Sequence, residues 1–161
     1  MCVIITKTKE KNMGLFNFFK KKKQTEEVDI HLLQQKVYQD IFSKIQEFLP
    51  TDWQKVDFHM YHTSRFFGIK YFVLTKENEW VDCFKILDEN VETELFLSID
   101  DDVAVVWNQL PKKQKWYVLN MIIDNQGYIN VSYDYADGVQ NDDLFMYLHN
   151  KEKQWEKKFI P

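Results

Sequence analysis

The hydrophobic pattern is sharpest in residues 116–135, where two runs rich in aromatic and β-branched residues flank a short polar break. The break, Asp124-Asn125-Gln126-Gly127, has turn-forming residues first and glycine last. Glycine has no Cβ and tolerates the left-handed backbone that closes such a loop. We therefore predict a β-hairpin with a three-residue loop, Asn125 to Gly127, that pairs Asp124 with Tyr128.

The chain before this hairpin changes from a helical to an alternating period. Apolar residues between Asp29 and Leu49 recur at steps of three and four, as in an amphipathic helix. Asp29 is a suitable N-cap, and Pro50 ends the helix because the residue before a proline avoids the α region. Strand-like runs at 56–61, 65–74 and 80–84, joined by short turns, predict an antiparallel meander.

Two further helices are predicted on either side of the hairpin. Ser98 and Asp100 are residue types that begin helices, and Pro111 ends the apolar spacing that follows them. Asp142-Asp143 begins a C-terminal helix, and its buried stripe would be Leu144, Tyr147, Leu148 and Trp155. The predicted fold class is α+β in the order αβββαββα. An N-terminal helix packs on an antiparallel sheet of about five strands, with a short acidic middle helix and a C-terminal helix.

Charge divides the 161 residues into two parts. Residues 1–23 carry seven lysines against Glu10 alone, a charge of +6, so the remainder of this −4 chain carries −10. We predict a basic, disordered leader at 1–28 and a single α+β domain at 29–161. An acidic domain repels nucleic acid phosphates and attracts basic proteins, so direct nucleic acid binding is not expected.

The leader has two interpretations. Phe16, Phe18 and Phe19 followed by Lys20–Lys23 are typical of a weak anchor on anionic lipid, or they form a solubilising tail that rests on the domain. A short segment without an acyl chain anchors poorly, so stable membrane association is not expected. Met13 resembles a second start of translation, which leaves open whether residues 1–12 belong to the protein. Two cysteines, Cys2 and Cys83, exclude a disulfide framework, and a cytoplasmic location is predicted.

Residues 77–108 hold the densest acidic segment, with ten carboxylates against Lys85 alone. Helix capping explains part of this acidity, and the remainder is either a partner-binding surface or a solvated face. Tyr133 and Tyr135 share one strand face, which favours the core for both. The candidate binding patch is Glu92, Glu94, Asp100, Asp101, Asp102 and Trp107. Its alternative edge is Asp134, Tyr135 and Asp137 with Asp142 and Asp143.

Catalytic motifs are not evident in the sequence. GxSxG, P-loop and GxGxxG patterns are missing, and His59 and His62 would point to opposite faces of a regular strand. Cys83 is interpreted as a core thiol. No catalytic residue, metal ligand or cofactor is predicted. A metal-dependent enzyme that uses carboxylates such as Asp100 or Asp134 stays as the alternative, beside a membrane-surface adaptor.

Several motifs resemble the YezG/EsaG-like antitoxin family, bacterial cytoplasmic immunity proteins of polymorphic toxin systems. The similarity covers about residues 30–136. The matching pieces are Leu49-Pro50 with Trp53, Trp116 with Leu119, Asp124 with Gly127, and Tyr133-Asp134-Tyr135. The resemblance implies a protein without catalytic residues that binds and neutralises a cognate toxin. Nuclease toxins are basic where they grip phosphate, and an acidic protein can occupy that groove. The oligomeric state is not predicted.

Overall fold

The structure, a computed structural model, describes residues 29–159. The predicted leader and the residues after Phe159 lie outside the described part. The main elements, in chain order, are α1 (Ile30–Gln46), β1 (Trp53–His62), β2 (Phe67–Thr75), β3 (Trp80–Asp82), α2 (Glu89–Gln109), β4 (Val118–Asp124), β5 (Ile129–Asp134) and α3 (Leu144–Phe159). This order confirms the predicted α+β class.

The five strands form one antiparallel sheet in the order β3-β2-β1-β4-β5. The meander β1-β2-β3 is confirmed, and the hairpin β4-β5 extends the sheet on the other side of β1. Phe58 illustrates the central place of β1, because it pairs with Tyr71 of β2 and with Met121 of β4. The centre of the sheet is therefore β1, with the hairpin at one edge.

The predicted hairpin loop is confirmed in detail. The Asp124 amide donates to the Tyr128 carbonyl at 3.1 Å, and the Gly127 amide donates to the Asp124 carbonyl at 3.0 Å. Gly127 has φ of +89°, a backbone conformation that costs glycine little. The Asp124 carboxylate also accepts from the amides of Gln126 and Tyr128, which fixes the loop.

Helix α1 begins as predicted, because the Asp29 side chain accepts from the amides of His31 and Leu32 at 3.0 and 3.2 Å. Its buried residues Val37, Ile41 and Ile45 lie at the predicted helical spacing. The α-helix ends at Gln46, a few residues before Pro50.

The middle helix is longer than predicted. Helix α2 spans 21 residues, and its N-cap is Asp88, whose carboxylate accepts from the Asn90 amide at 3.0 Å. Ser98 lies in the helix interior, so the prediction that the helix begins there is wrong. The physical reason is that Leu95, Phe96 and Ile99 continue the buried stripe in front of Val103, so tertiary packing extends the helix through Ser98.

Helices cover both faces of the sheet. Helices α1 and α2 pack together over one face and enclose the larger core, which includes Phe58 and Tyr71. Helix α3 packs on the other face, where Leu148 and Trp155 are buried with Phe72 and Val118. Phe159 joins this second core, with ring centroids 4.4 Å from Phe72 and 4.5 Å from Trp80.

The two β1 histidines confirm the expected alternation. His62 lies edge-on to Trp107 of α2, with ring centroids 4.9 Å apart. His59 stacks on Trp155 of α3 at 4.8 Å, on the opposite side of the sheet.

Within residues 29–159, no helix has the length and apolar character required to cross a membrane.

Candidate functional site

The α2 carboxylates predicted as one patch lie on different sides of the helix. Asp100 Oδ1 is 2.8 Å from Nδ1 of the buried His62. Asp102 accepts from Lys44 of α1 at 2.5 Å, and the same ammonium group donates to the backbone and side chain of Ser98. Asp100 and Asp102 therefore attach α2 to the sheet and to α1, and each already has an intramolecular partner.

Trp107 is a core residue, with 6% of its surface exposed. Its indole nitrogen donates to the Trp116 carbonyl at 2.6 Å, and the Lys115 ammonium lies 3.9 Å from the ring centroid. The indole therefore fixes the chain that leads into β4. This burial corrects the prediction that Trp107 forms part of an exposed patch.

Glu92 lies away from the other members of the predicted patch. Burial raises the pKa of its carboxyl group and Glu89 adds to that rise, while Lys70 of β2 opposes it. With about 3.6 residues per turn, Glu92 lies on roughly the opposite side of α2 from Glu94 and Asp101. Glu92 therefore does not share a surface with Glu94 and Asp101, which are both exposed on the outer side of the helix.

The side of α2 that faces solvent carries a mixed surface, here called the outer stripe. Steps of three and four residues place its members along one side of the helix. Leu97 is 52% exposed and Val105 is 62% exposed, so this side of the helix carries aliphatic side chains as well as carboxylates. The outer stripe consists of Asn90, Glu94, Leu97, Asp101 and Val105, all exposed.

Leu97 and Val105 were missed by the sequence analysis. The available signal was the run Leu95-Phe96-Leu97, because three consecutive helical residues spread around most of the helix and cannot all face the core. Leu95 and Phe96 are buried, and Leu97 is the residue left outside.

The residues of the alternative acidic edge, at the end of β5, also fall into a group with intramolecular partners and an exposed group. Asp134 accepts from the Tyr147 hydroxyl at 2.6 Å, the Ala136 amide at 2.8 Å and the Lys151 ammonium at 2.9 Å. Burial raises the pKa of Asp134, but the contacts with Tyr147, Lys151 and Ala136 outweigh it and hold the pKa below its ordinary value. Asp134 therefore connects β5 to α3.

The neighbours of Asp134 lie at the surface. Asp137, Asp142 and Asp143 are exposed, and Tyr135 is 41% exposed. Tyr133 packs against the larger core and stacks on Trp116, as expected. The expectation of a core position is wrong for Tyr135, because the chain leaves β5 at Asp134 and enters a turn in which Ala136 has φ of +51°.

The sheet face under α3 carries buried charged residues that the sequence analysis did not single out. Lys70 of β2 is 3% exposed and lies 3.1 Å from Asp82 and 2.8 Å from Glu156 of α3. Burial lowers the pKa of Lys70, but the contacts with Glu156 and Asp82 outweigh it, and the net pKa is raised. Its ammonium also lies 4.2 Å from the centre of the Phe84 ring. This cluster attaches α3 to the sheet.

Asp57 and His59 of β1 form a second buried cluster on this face, 4% and 5% exposed. The Asp57 Oδ2 atom accepts from Lys158 of α3 at 2.8 Å. His59 places Nδ1 2.8 Å from Asn120 Oδ1 and Nε2 3.0 Å from Asp57 Oδ1. The second contact is close, but its alignment is poor for a regular hydrogen bond. A cavity of about 440 Å³ opens beside these residues.

Two features of the described residues bear on the alternative of a metal-dependent or thiol-dependent enzyme. Between Asp29 and Phe159, no group of three His, Cys, Asp or Glu side chains lies close enough together to hold a metal ion. Burial raises the pKa of the Cys83 thiol to about 12, so the group is protonated at neutral pH and inert as a nucleophile. Cys83 is a core residue, in agreement with its interpretation from sequence.

These features define a small α+β protein with helices on both faces of an antiparallel sheet and an exposed stripe of acidic and aliphatic side chains. The model of one family, described as immunity protein YezG-like, matches residues 34–160. The match spans well over half of the chain, so the chain belongs to the YezG-like immunity protein family. Family membership indicates an immunity role, in which the protein binds a cognate toxin rather than catalysing a reaction. No curated protein matches the chain.

Proposed function

We propose that this protein neutralises a cognate toxin by binding a basic domain of it, of the nuclease type, with the outer stripe of α2. The observation that carries the proposal is the pairing of exposed Glu94 and Asp101 with exposed Leu97 and Val105 on one side of one helix. Of the binding patch predicted from sequence, only Glu94 and Asp101 belong to the outer stripe.

Charge supports a basic partner. Residues 24–161 carry −10, and α2 contributes six carboxylates to that charge without a single lysine or arginine. A surface of one sign accelerates encounter with a partner of the opposite sign, and this steering weakens as salt rises. A nuclease domain is basic where it holds phosphate, so an acidic helix placed there would exclude the substrate.

The aliphatic side chains support binding rather than solvation alone. Exposed Leu97 and Val105 leave apolar surface on α2 that a partner can cover. Burial of apolar surface contributes roughly 25 cal/mol per Å², so Leu97 and Val105 can stabilise a complex after charge has brought the partners together. The outer stripe therefore combines a steering component with an anchoring component.

The test is affinity capture of tagged protein from its native host, followed by co-expression of the captured protein with each immunity variant. We expect one basic partner in stoichiometric amount, whose toxicity the wild-type protein suppresses. The double variant Glu94→Lys/Asp101→Lys should lose protection. The matched control, Glu77→Lys/Glu79→Lys in the β2–β3 turn, makes the same charge change at two exposed glutamates and should keep protection.

Two outcomes of this experiment would contradict different parts of the proposal, the binding surface and the immunity role. Capture of a toxic partner that both double variants neutralise equally well would keep the immunity role and reject the outer stripe. Failure of the wild-type protein to suppress any captured protein would contradict the proposed function itself.

A further inference from the structure

Helix α3 covers only part of its sheet face. It packs over β1, β2 and β3, where Phe159 contacts Phe72 and Trp80. Val118 and Asp134 contact α3, but beyond them the same face of the β4–β5 hairpin is open, since Ile122 is 41% exposed and Tyr128 is 71% exposed. The exposed side chains of Asn130 and Ser132 lie on the same face, by the alternation of β5. A sheet face with this mixture of apolar and hydrogen-bonding groups is available to a partner.

The cavity lies at the inner border of this open face. Its lining combines the buried Asp57 and His59 with side chains of the open hairpin and of α3. The volume of about 440 Å³ is within the range of about 300–1,000 Å³ seen for pockets that hold small ligands. The remaining lining residues are Asn120, Ile122, Asn130, Ser132, Gln154, Trp155 and Lys158.

Hydrogen-bond acceptors are concentrated at the buried end of the cavity. Burial raises the pKa of Asp57, but the contacts with His59 and Lys158 outweigh it, so the carboxylate is ionised at neutral pH. His59 places Nδ1 2.8 Å from Asn120 Oδ1 and Nε2 3.0 Å from the Asp57 carboxylate, where it makes no aligned hydrogen bond. A buried, ionised carboxylate favours a positively charged ligand that can donate to both of its oxygens.

Lys158 occupies this position from the solvent side. Its ammonium binds Asp57 at 2.8 Å, yet its side chain is 58% exposed, whereas that of Asp57 is 5% exposed. The Lys158 ammonium also lies 4.6 Å from the centre of the Phe159 ring, so two contacts hold this exposed side chain, and an external cation would compete with it for Asp57. The lysine therefore marks the position at which an external cation would bind.

We propose that the cavity accepts an arginine side chain of a basic protein partner, which displaces the Lys158 ammonium from Asp57. The planar guanidinium group presents paired donors that can bind both oxygens of the Asp57 carboxylate, whereas the Lys158 ammonium binds Oδ2. The proposal rests on the proposed function only in taking the partner to be a basic protein. It adds a second contact surface, on the face of the sheet opposite to α2.

The experiment is a titration of the full chain with N-acetyl-arginine amide, followed by NMR of the side-chain amides of Asn120, Asn130 and Gln154. We expect saturable shifts at millimolar ligand, and tighter binding by several-fold in Lys158→Gln, which removes the internal competitor. N-acetyl-citrulline amide has nearly the same shape without the charge and should leave the three amides unshifted. Asp57→Asn should abolish saturation.

Ser132→Lys provides a second variant whose folding is not in question, because Ser132 is exposed. It places a cation at the mouth of the cavity and should weaken the arginine response by several-fold. Equal responses to arginine and citrulline, or no saturable shift in either the wild-type chain or Lys158→Gln, would overturn the proposal. Neither result depends on the toxin or on α2, so the immunity role is tested separately.

Discussion

Acidic residues of this protein separate into those that accept from another element and those that are exposed at the surface. Asp100, Asp102 and Asp134 each accept from another element, so they act as internal connectors. Glu94 and Asp101 are exposed on the outer side of α2. Their chemistry is the same as that of the connectors, and only the tertiary partners distinguish the two groups. A sequence shows the carboxylates but not their tertiary partners. The two groups therefore could not be distinguished from sequence, and the predicted patch contained members of both.

Cys83 provides a test of the residue-scale account. Complete burial, which raises the pKa of its thiol to about 12, should prevent reaction with a thiol reagent in the folded protein at pH 8. The measurement is reaction with Ellman's reagent in a Cys2→Ser variant, which leaves Cys83 as the only thiol. We expect no fast reaction in buffer and full reaction in denaturant. Fast reaction without denaturant would show that this part of the core opens.

Asp134 provides a test with pH. Its folded-state pKa is held below the unfolded value of about 3.9, so its ionised form stabilises the fold at neutral pH. This stabilisation is lost as the pH falls below about 4 towards the folded-state pKa. We expect Asp134→Asn to lower the free energy of unfolding at pH 7 by about 1–2 kcal/mol and to reduce its decline in acid.

The measurement is urea unfolding between neutral and acidic pH. Asp137→Asn is the matched control, because Asp137 is exposed on the same turn. If the two variants follow the wild-type pH profile equally, the contacts of Asp134 with Tyr147 and Lys151 do not contribute to stability.

At the scale of elements, local pattern predicted most helices and strands, because period and capping are encoded nearby in the chain. Helix α1, the meander and the hairpin follow this rule. The start of α2 does not follow this rule, because Ser98 has the residue type of a helix cap but lies inside the helix between buried Phe96 and Ile99. Asp57 and His59 alternate along β1 in the way that solvent-facing residues do, yet both are buried under α3. Long-range packing decided both cases.

The β1–β2 pair contains a close approach that can be tested. Gly68 pairs with Tyr61, whose ring lies where a Cβ on residue 68 would be. We expect Gly68→Ala to destabilise the protein by about 1–3 kcal/mol, measured by urea unfolding, because the Tyr61 ring is packed against Phe66 and Trp155 and must move.

A second substitution separates overlap from other effects of alanine. In Gly68→Ala/Tyr61→Leu the ring is gone, so adding the alanine to the Tyr61→Leu background should cost much less than adding it to the wild type. Equal costs in the two backgrounds would show that the ring does not restrict residue 68.

At the scale of the whole molecule, the sheet separates two surfaces with different chemistry. One face supports α2 and its outer stripe, while the other leaves the β4–β5 hairpin and its polar cavity open beside α3. The family and the α+β class could be inferred from sequence motifs, because tryptophans, a glycine turn and helix caps are local features. Three-dimensional packing decides which acidic residues contact another element and which are exposed. It also decides the exposure of Leu97 and Val105, so neither feature could be predicted from sequence.

The outer stripe should show its two components in binding kinetics. Glu94→Lys/Asp101→Lys removes steering, so it should mainly slow association, by about tenfold or more at low salt. Leu97→Ser/Val105→Ser removes anchoring and should mainly accelerate dissociation. The control Glu77→Lys/Glu79→Lys should change neither rate by more than about twofold.

The most direct measurement is therefore the association rate of the isolated toxin with the wild-type protein and these variants, by stopped-flow fluorescence across a salt series. We expect a large, salt-dependent fall in the association rate for the α2 charge reversal and a small change in that rate for the β2–β3 control. Equal association rates for the two charge-reversed proteins, at every salt concentration, would contradict the claim that α2 is the surface that captures the toxin.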